Sequence, residues 1–174
     1  MAAQRNVAVV TGASRGAGRG IAVALGAAGW RVYVTGRSDA TSQRRTTIEA
    51  TAQQVTAAGG EGIAVRVDHA DDDSVARLFD QIVDDGAGLD LLVNNAAAVH
   101  TDLTDPQPFW EKPIELGDVL DVGLRSGYVA SWHAARLMVD HGSGLIVFTS
   151  SPGSVCYMHG PTCKVLHRRN PDAD

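Results

Sequence analysis

A chain of 174 residues with a formal net charge of −5 can form one domain with a packed core and has no basic excess for nucleic acid or anionic lipid. Its 44% hydrophobic and 20% charged residues argue against disorder, and its mean hydropathy of −0.05 argues against a membrane protein. Because no signal-peptide pattern precedes the first apolar run and only two cysteines occur, we expect a cytoplasmic domain without a disulfide framework.

Short apolar runs predict five strands, at residues 7–10, 32–34, 63–67, 89–93 and 145–148. Several runs are continuously apolar, which is typical of parallel strands that are covered on both faces. The segments between them predict helices. The run from Gly20 to Trp30 predicts a buried helix, and residues 71–85 carry an apolar stripe at helical spacing behind an aspartate-rich first turn, formed by Val75, Leu78, Phe79, Ile82 and Val83.

Repeated β-α-β units predict an α/β fold with a doubly wound parallel sheet of the Rossmann type. Such dinucleotide-binding sheets commonly have about six strands, so we expect the C-terminal strands to be missing from this chain. The expected organisation is a single, incomplete nucleotide-binding domain over residues 1–174.

A glycine-rich segment directly follows the first strand and opens into the first helix. Placed there, glycines let the backbone approach a pyrophosphate while helix N–H groups point at it. The alternative is a glycine-rich turn that holds no ligand. The candidate cofactor-binding residues of this segment are Thr11, Gly12, Ser14, Arg15, Gly16 and Gly18.

The residues after the second strand bear on the choice between NADP(H) and NAD(H). An acid at this place usually accepts a hydrogen bond from the free ribose 2′-hydroxyl of NAD. Here Gly36 occupies the acid position and Arg37 follows it, offering donors that suit a 2′-phosphate, with Arg15 as a second cation. NADP(H) is therefore favoured. Asp39 keeps the NAD(H) alternative open, and Arg37 could be an ordinary surface arginine.

A second motif, Leu92-Val93-Asn94-Asn95-Ala96, ends the fourth strand. Together with Thr11-Gly-x-x-x-Gly-x-Gly18 it resembles the signatures of the short-chain dehydrogenase/reductase family. The resemblance implies an oxidoreductase of a small carbonyl/alcohol pair, with Asp68 at the adenine amino group and with Asn95 and Ala96 along the nicotinamide-ribose path. From the residues alone, Asp68 could instead cap a turn, and the paired asparagines could tie loop backbone groups.

The same resemblance implies a catalytic serine after the fifth strand and a Tyr-x-x-x-Lys pair beyond it. Ser151 is the candidate serine, although Ser150-Ser151 could also be ordinary turn chemistry. No Tyr-x-x-x-Lys occurs in the chain, and Cys163 and His167 stand at the expected tyrosine and lysine places. We therefore expect little or no catalytic activity.

Further segments resemble the branch of the family typified by dehydrogenase/reductase member 1. These are residues 109–111, 122–128, 135–139 and 150–154, and the likeness runs from about residue 6 to residue 161 before the sequence diverges over 162–174. A frameshift or premature stop is the simplest explanation at this stage. The homo-oligomer that is usual in the family is not an expectation for so short a chain.

The remaining motifs leave three classes of function open. Cys156, His159, Cys163 and His167 could in principle bind a metal, but their nearly continuous spacing is unlike a zinc finger, so no metal site is predicted. The segment from Ala97 to Pro113 is a candidate substrate rim. The open classes are an NADP(H)-dependent reductase with little activity, a non-catalytic nucleotide-binding protein and a non-functional gene fragment.

Overall fold

The computed structural model of the chain describes residues 5–39, 41 and 46–150. Within that part, five parallel strands pair in the order β3-β2-β1-β4-β5. This doubly wound parallel sheet confirms the predicted fold class. The strands are β1 (Val7–Val10), β2 (Arg31–Gly36), β3 (Glu61–Arg66), β4 (Leu91–Asn94) and β5 (Leu145–Phe148).

The connections between the strands contain four α-helices and several shorter turns. The helices are α1 (Gly16–Ala27), α2 (Ile48–Ala57), α3 (Asp72–Asp84) and α4 (Ser126–His141). The long segment between β4 and α4 is not a plain loop, because it forms three short 3₁₀ turns and a π-helical turn at Leu120–Arg125 that leads into α4.

Alternation along the strands builds a core on each face of the sheet. On one face, Val9, Tyr33 and Leu92 pack with the apolar stripes of α3 and α4. On the other face, Val10 and Val34 pack with residues of α1 and α2. The central strands are therefore covered on both sides, which is why their sequences are continuously apolar.

Two details of the helix predictions are wrong. Val83 is 54% exposed, because its helical position lies at the border of a stripe whose buried members are Val75, Leu78, Phe79 and Ile82. Helix α1 is not fully buried: it buries only Gly18, Ala22 and Gly26, because one of its faces packs inward while the other faces solvent. In addition, β4 begins at Leu91, two residues later than the apolar run predicts.

Among the described residues, none of the helices combines the length and the apolar character that crossing a membrane requires.

Candidate functional site

The carboxyl ends of β1, β2 and β4 meet at the start of α1. Strand β1 lies between β2 and β4, so the chain winds away from β1 in both directions, and a crevice opens at this switch point. A cavity of about 550 Å³ occupies that crevice. Its lining comprises Gly12, Ser14, Arg15, Gly16, Ala17, Gly36, Arg37, Ser38, His69, Asn95, Ala96, Ala97, Val99 and Val122.

Helix α1 begins at this cavity without a side-chain cap. The Arg15 side chain makes no capping hydrogen bond, and the first turn of α1 contains no acidic residue. By contrast, the Thr47 hydroxyl accepts from Ala50 N at the start of α2, and the Asp71 carboxylate accepts from Asp73 N at the start of α3. The unsatisfied N–H groups of α1 and its dipole therefore favour an anion in the cavity.

Two glycines give the loop before α1 a shape that other residues would strain. Gly12 and Gly16 have φ values of 63° and 58°, in the left-handed region. A Cβ atom at Gly12 would lie 2.7 Å from Ala96 Cα, so the loop also packs too closely against the end of β4 for a side chain. The backbone of the loop can consequently come close to a ligand.

Hydrogen bonds tie the loop to the end of β4. The Thr11 hydroxyl accepts from Asn95 N and Ala96 N, both at 2.9 Å. In return, the Asn95 side-chain amide donates to the carbonyl oxygens of Thr11 at 2.9 Å and Gly12 at 3.1 Å. Thr11 is buried and Gly18 packs against Asn95. Both residues therefore support the loop on the side away from the cavity, and neither of them lines it.

The end of β2 presents a cation and no acid to the cavity. Gly36, Arg37 and Ser38 line it, and Arg37 is partly exposed. Within the described part of the chain, the Arg37 guanidinium makes no hydrogen bond or ion pair. Asp39 is absent from the lining: its carboxylate binds Arg66 Nε at 2.9 Å and accepts from the Thr41 hydroxyl at 2.6 Å.

His69 is a lining residue that the sequence analysis does not assign to the site. It is buried, and its Nε2 lies 2.9 Å from the Thr35 hydroxyl at the end of β2. Burial lowers the pKa of His69 from 6.5 to about 4, with Asp68 opposing the shift and Arg37 adding to it. A neutral imidazole is therefore part of the cavity wall. The signal in the sequence is its place, three residues after the end of β3 at the carboxyl edge of the sheet.

Asp68 makes a turn contact at the end of β3. Its Oδ1 accepts from Ala70 N at 3.1 Å, which is the turn alternative of the sequence interpretation. Asp68 does not line the first cavity but lines a second one of about 520 Å³, which Arg37 also borders. Its contact with adenine stays a prediction.

The residues expected to perform catalysis cannot be placed. Ser151, Cys163 and His167 lie outside the described residues, as do Cys156 and His159. Across residues 5–39, 41 and 46–150, no group of three His, Cys, Asp or Glu side chains could hold a metal ion. Closer to β5, Asn94 Nδ2 donates to the Ser131 hydroxyl at 3.0 Å, which links β4 to α4.

Comparisons with known proteins agree with this geometry. A model of the family described as short chain dehydrogenase matches residues 6–162. Dehydrogenase/reductase SDR family member 1 of Homo sapiens is 48% identical over 164 residues, which cover 91% of this chain and 50% of the human protein. The chain thus spans about half the length of the curated relatives it matches.

Two solved structures share the fold. A metagenomic short-chain oxidoreductase (SDR) in complex with NADP has a TM-score of 0.76 and 30% identity, covering 93% of this chain and 70% of its own. The NADH-dependent reductase A1-R′ complexed with NAD has a TM-score of 0.73 and 20% identity, covering 94% of this chain and 68% of its own. At this low identity the likeness shows a shared fold only. Neighbours of this fold therefore include proteins bound to either dinucleotide.

Proposed function

This chain belongs to the short chain dehydrogenase family, and from that membership we propose an oxidoreductase of a small-molecule carbonyl/alcohol pair that binds NADP(H) in preference to NAD(H). The resemblance to the dehydrogenase/reductase member 1 branch is confirmed by the 48% identity. One observation carries the cofactor proposal: the uncapped start of α1 faces a cavity that Arg37 borders without an ion-pair partner among the described residues.

The residues around the cavity fit a dinucleotide. The pyrophosphate would bind the N–H groups at the start of α1, where Gly12 and Gly16 let the backbone come close. Asn95 and Ala96 line the end of the cavity at β4, toward the proposed nicotinamide-ribose path. When bound, a nicotinamide dinucleotide supplies the two-electron redox chemistry that side chains lack.

Arg37 is the main determinant of the proposed NADP(H) preference. Its guanidinium can form charge-assisted hydrogen bonds with a 2′-phosphate, and Arg15 brings a second positive charge to the same cavity. Gly36 offers no side-chain acceptor to a free 2′-hydroxyl, and the carboxylate of Asp39 is already bound to Arg66. A phosphate contact of this kind is worth about 1–3 kcal/mol.

Catalytic activity of this chain is proposed to be low. Ser151 would orient the substrate oxygen, but Cys163 and His167 stand where the family resemblance implies tyrosine and lysine. A cysteine side chain is much shorter than that of tyrosine, so the thiol would not reach the same oxygen from the same backbone position. Loss of a general acid costs about 10²–10⁴-fold in rate.

Substrate would approach past the segment between β4 and α4. Phe109 is 62% exposed and Trp110 is 74% exposed there, which gives the proposed rim an apolar character. Val99 and Val122, from the two ends of this segment, line the cavity itself. An apolar rim supports small carbonyl compounds as the substrate class, but it does not identify a particular compound.

Calorimetric titration with NADPH and NADH tests the proposal. We expect the unmodified chain to bind NADPH about 10–100-fold more tightly than NADH, and Arg37→Asp to abolish or reverse that ratio. Arg136→Asp is the matched control. Arg136 stacks on Trp132 in α4, outside the cavity, and its substitution changes the charge of the chain by the same amount as Arg37→Asp. Equal affinities for the two dinucleotides in the unmodified chain would contradict the proposal.

A non-catalytic nucleotide-binding protein is the second candidate, favoured by the absence of Tyr-x-x-x-Lys from the sequence. Steady-state oxidation of NADPH with a panel of ketones, aldehydes and quinones separates it from the enzyme. Turnover near the ordinary range of about 1–10³ s⁻¹ would contradict the expectation of low activity. A gene fragment without a stable fold would show neither cooperative unfolding nor NADPH binding.

A further inference from the structure

Asp39 is the only acidic residue in the five that follow the last buried valine of β2, from Thr35 to Asp39. A carboxylate near this place can accept a hydrogen bond from a free ribose 2′-hydroxyl and repel a 2′-phosphate. Ser38, its neighbour in the chain, lines the cavity. Asp39 is therefore close enough in sequence to oppose the preference that Arg37 creates.

The structure turns the Asp39 carboxylate toward β3. Arg66 Nε donates to Asp39 Oδ2 at 2.9 Å, while the Thr41 backbone N and hydroxyl donate to Oδ1 at 3.1 and 2.6 Å. The Asp39 side chain is only 16% exposed, whereas that of Arg66 is 72% exposed. Both carboxylate oxygens are thus engaged by groups that do not line the first cavity.

Strand pairing explains why Arg66 is in position to do this. In the parallel register of β2 and β3, Arg66 lies directly opposite Gly36, and Val67 N donates to Gly36 O at 3.1 Å. The arginine therefore stands beside the place where an acid would contact the ribose. Arg37 and Arg66 also border the second cavity together.

We infer that Arg66 is a specificity-determining positioning residue, which strengthens the preference for NADP(H) by holding the Asp39 carboxylate away from the ribose end of the site. This inference rests on the proposed function. The ion pair neutralises the Asp39 carboxylate, so that this acid does not compete with a phosphate for Arg37. Without Arg66, Thr41 would still hold Oδ1, but the charge of the Asp39 carboxylate would be uncompensated and Oδ2 would lose its partner. The carboxylate would then repel the 2′-phosphate of NADPH and offer Oδ2 as an acceptor to the 2′-hydroxyl of NADH.

Dissociation constants for NADPH and NADH, measured by calorimetry on the whole chain, test the inference in four variants: Arg66→Ala, Arg66→Lys, Asp39→Asn and the Arg66→Ala/Asp39→Asn double variant. Arg66→Ala should weaken NADPH binding and strengthen NADH binding, each by about three- to tenfold. Arg66→Lys keeps the cation and should retain most of the preference. Circular dichroism checks that each variant keeps its fold.

The double variant distinguishes a positioning role from a direct contact between Arg66 and the phosphate. If Arg66 acts through Asp39, the ratio of the two affinities in the double variant should equal that of Asp39→Asn alone. If Arg66 binds the phosphate itself, the loss of NADPH affinity persists in the double variant, which would overturn the inference. Arg77→Ala is the matched control, because Arg77 borders the same second cavity but pairs with Asp71, and the ratio should not change.

The same measurements distinguish failure of this inference from failure of the proposed NADP(H) binding. An unmodified chain that prefers NADPH, together with an Arg66→Ala variant whose NADH affinity is unchanged, would overturn the inference and leave the proposed cofactor intact. An unmodified chain that binds neither dinucleotide would overturn both.

Discussion

β1 and β5 are both four-residue apolar strands that pair in parallel with β4, yet their surroundings differ. Every residue of β1 is buried, because β2 and β4 flank it and helices cover both faces. In β5, Leu145 is 59% exposed, Val147 36% and Phe148 53%, and within the described residues this strand pairs only with β4. An apolar strand sequence therefore does not by itself specify how well the strand is covered.

The proposed site lies at the end of the buried strand β1 and not at the exposed strand β5. The glycine loop continues directly from β1, and its Thr11 hydrogen bonds reach the end of β4. Ala13 N donates to Thr35 O at 2.9 Å, which ties the loop to β2 as well. The proposed nucleotide cavity is thus built on the well-covered strands. Among the described strands, β5 is the last of the sheet and its apolar side chains are exposed, which favours association or local opening.

The largest effect is expected in the loop that follows β1. Gly12→Val would place a Cβ atom 2.7 Å from Ala96 Cα and force a branched residue to a φ of 63°. We expect a loss of about 3–5 kcal/mol in the free energy of unfolding and loss of measurable NADPH binding. Urea unfolding and calorimetry measure the two quantities.

Gly20→Ala is the control for that substitution. Gly20 lies in α1, and a Cβ atom there would meet open space, so the variant should gain roughly 0.5–1 kcal/mol from helix propensity. If Gly12→Val instead unfolds like the unmodified chain, the loop is not the rigid element that the contacts with Ala96 indicate.

The next effect in size concerns pH and His69. Its pKa is lowered by burial from 6.5 to about 4 in the folded chain, so the unfolded chain binds more protons between these values. The free energy of unfolding should therefore fall by roughly 3 kcal/mol as the pH drops from about 6.5 to 4. His69→Gln should remove most of this slope, as urea unfolding at several pH values would reveal. An equal slope in both proteins would show that His69 is not the group responsible.

A smaller effect on the free energy of unfolding is expected from the same substitution made in β1 and in β5. Val9→Thr places a hydroxyl at a position of β1 that is fully buried, which should cost about 1–3 kcal/mol. The same substitution at Val147, which is 36% exposed in β5, should cost less than about 0.5 kcal/mol. Urea midpoints measured at constant m-value would show the ranking. Equal costs at the two positions would mean that β5 is as well covered as β1.

The sequence predicted the fold because hydrophobic patterns are local. The five strands and the Asp-rich start of α3 can be recognised from neighbouring residues, and the glycine loop is recognisable because it stands between a strand and a helix. The exposure of Val83 was not predictable, because it lies at the border of its stripe and only the packing of α3 decides it.

Features of the site that depend on distant residues could not be predicted. The Thr11 hydroxyl binds Asn95 N across 84 positions of sequence, and the Asp39 carboxylate binds an arginine on the next strand. The burial of His69 likewise depends on the end of β2. The catalytic assignments of Ser151, Cys163 and His167 stay predictions, because these residues lie outside the described part of the chain.

Hydrogen exchange of the unmodified chain, with and without saturating NADPH, most directly tests the claim that the covered strands carry the nucleotide site. We predict that NADPH slows exchange of the backbone amides in residues 11–18 and 94–97, the two hydrogen-bonded segments that carry most of the cavity lining. Exchange in β5, residues 145–148, should remain fast and unchanged. An absence of slowing in residues 11–18, or an equal slowing in β5, would contradict the account.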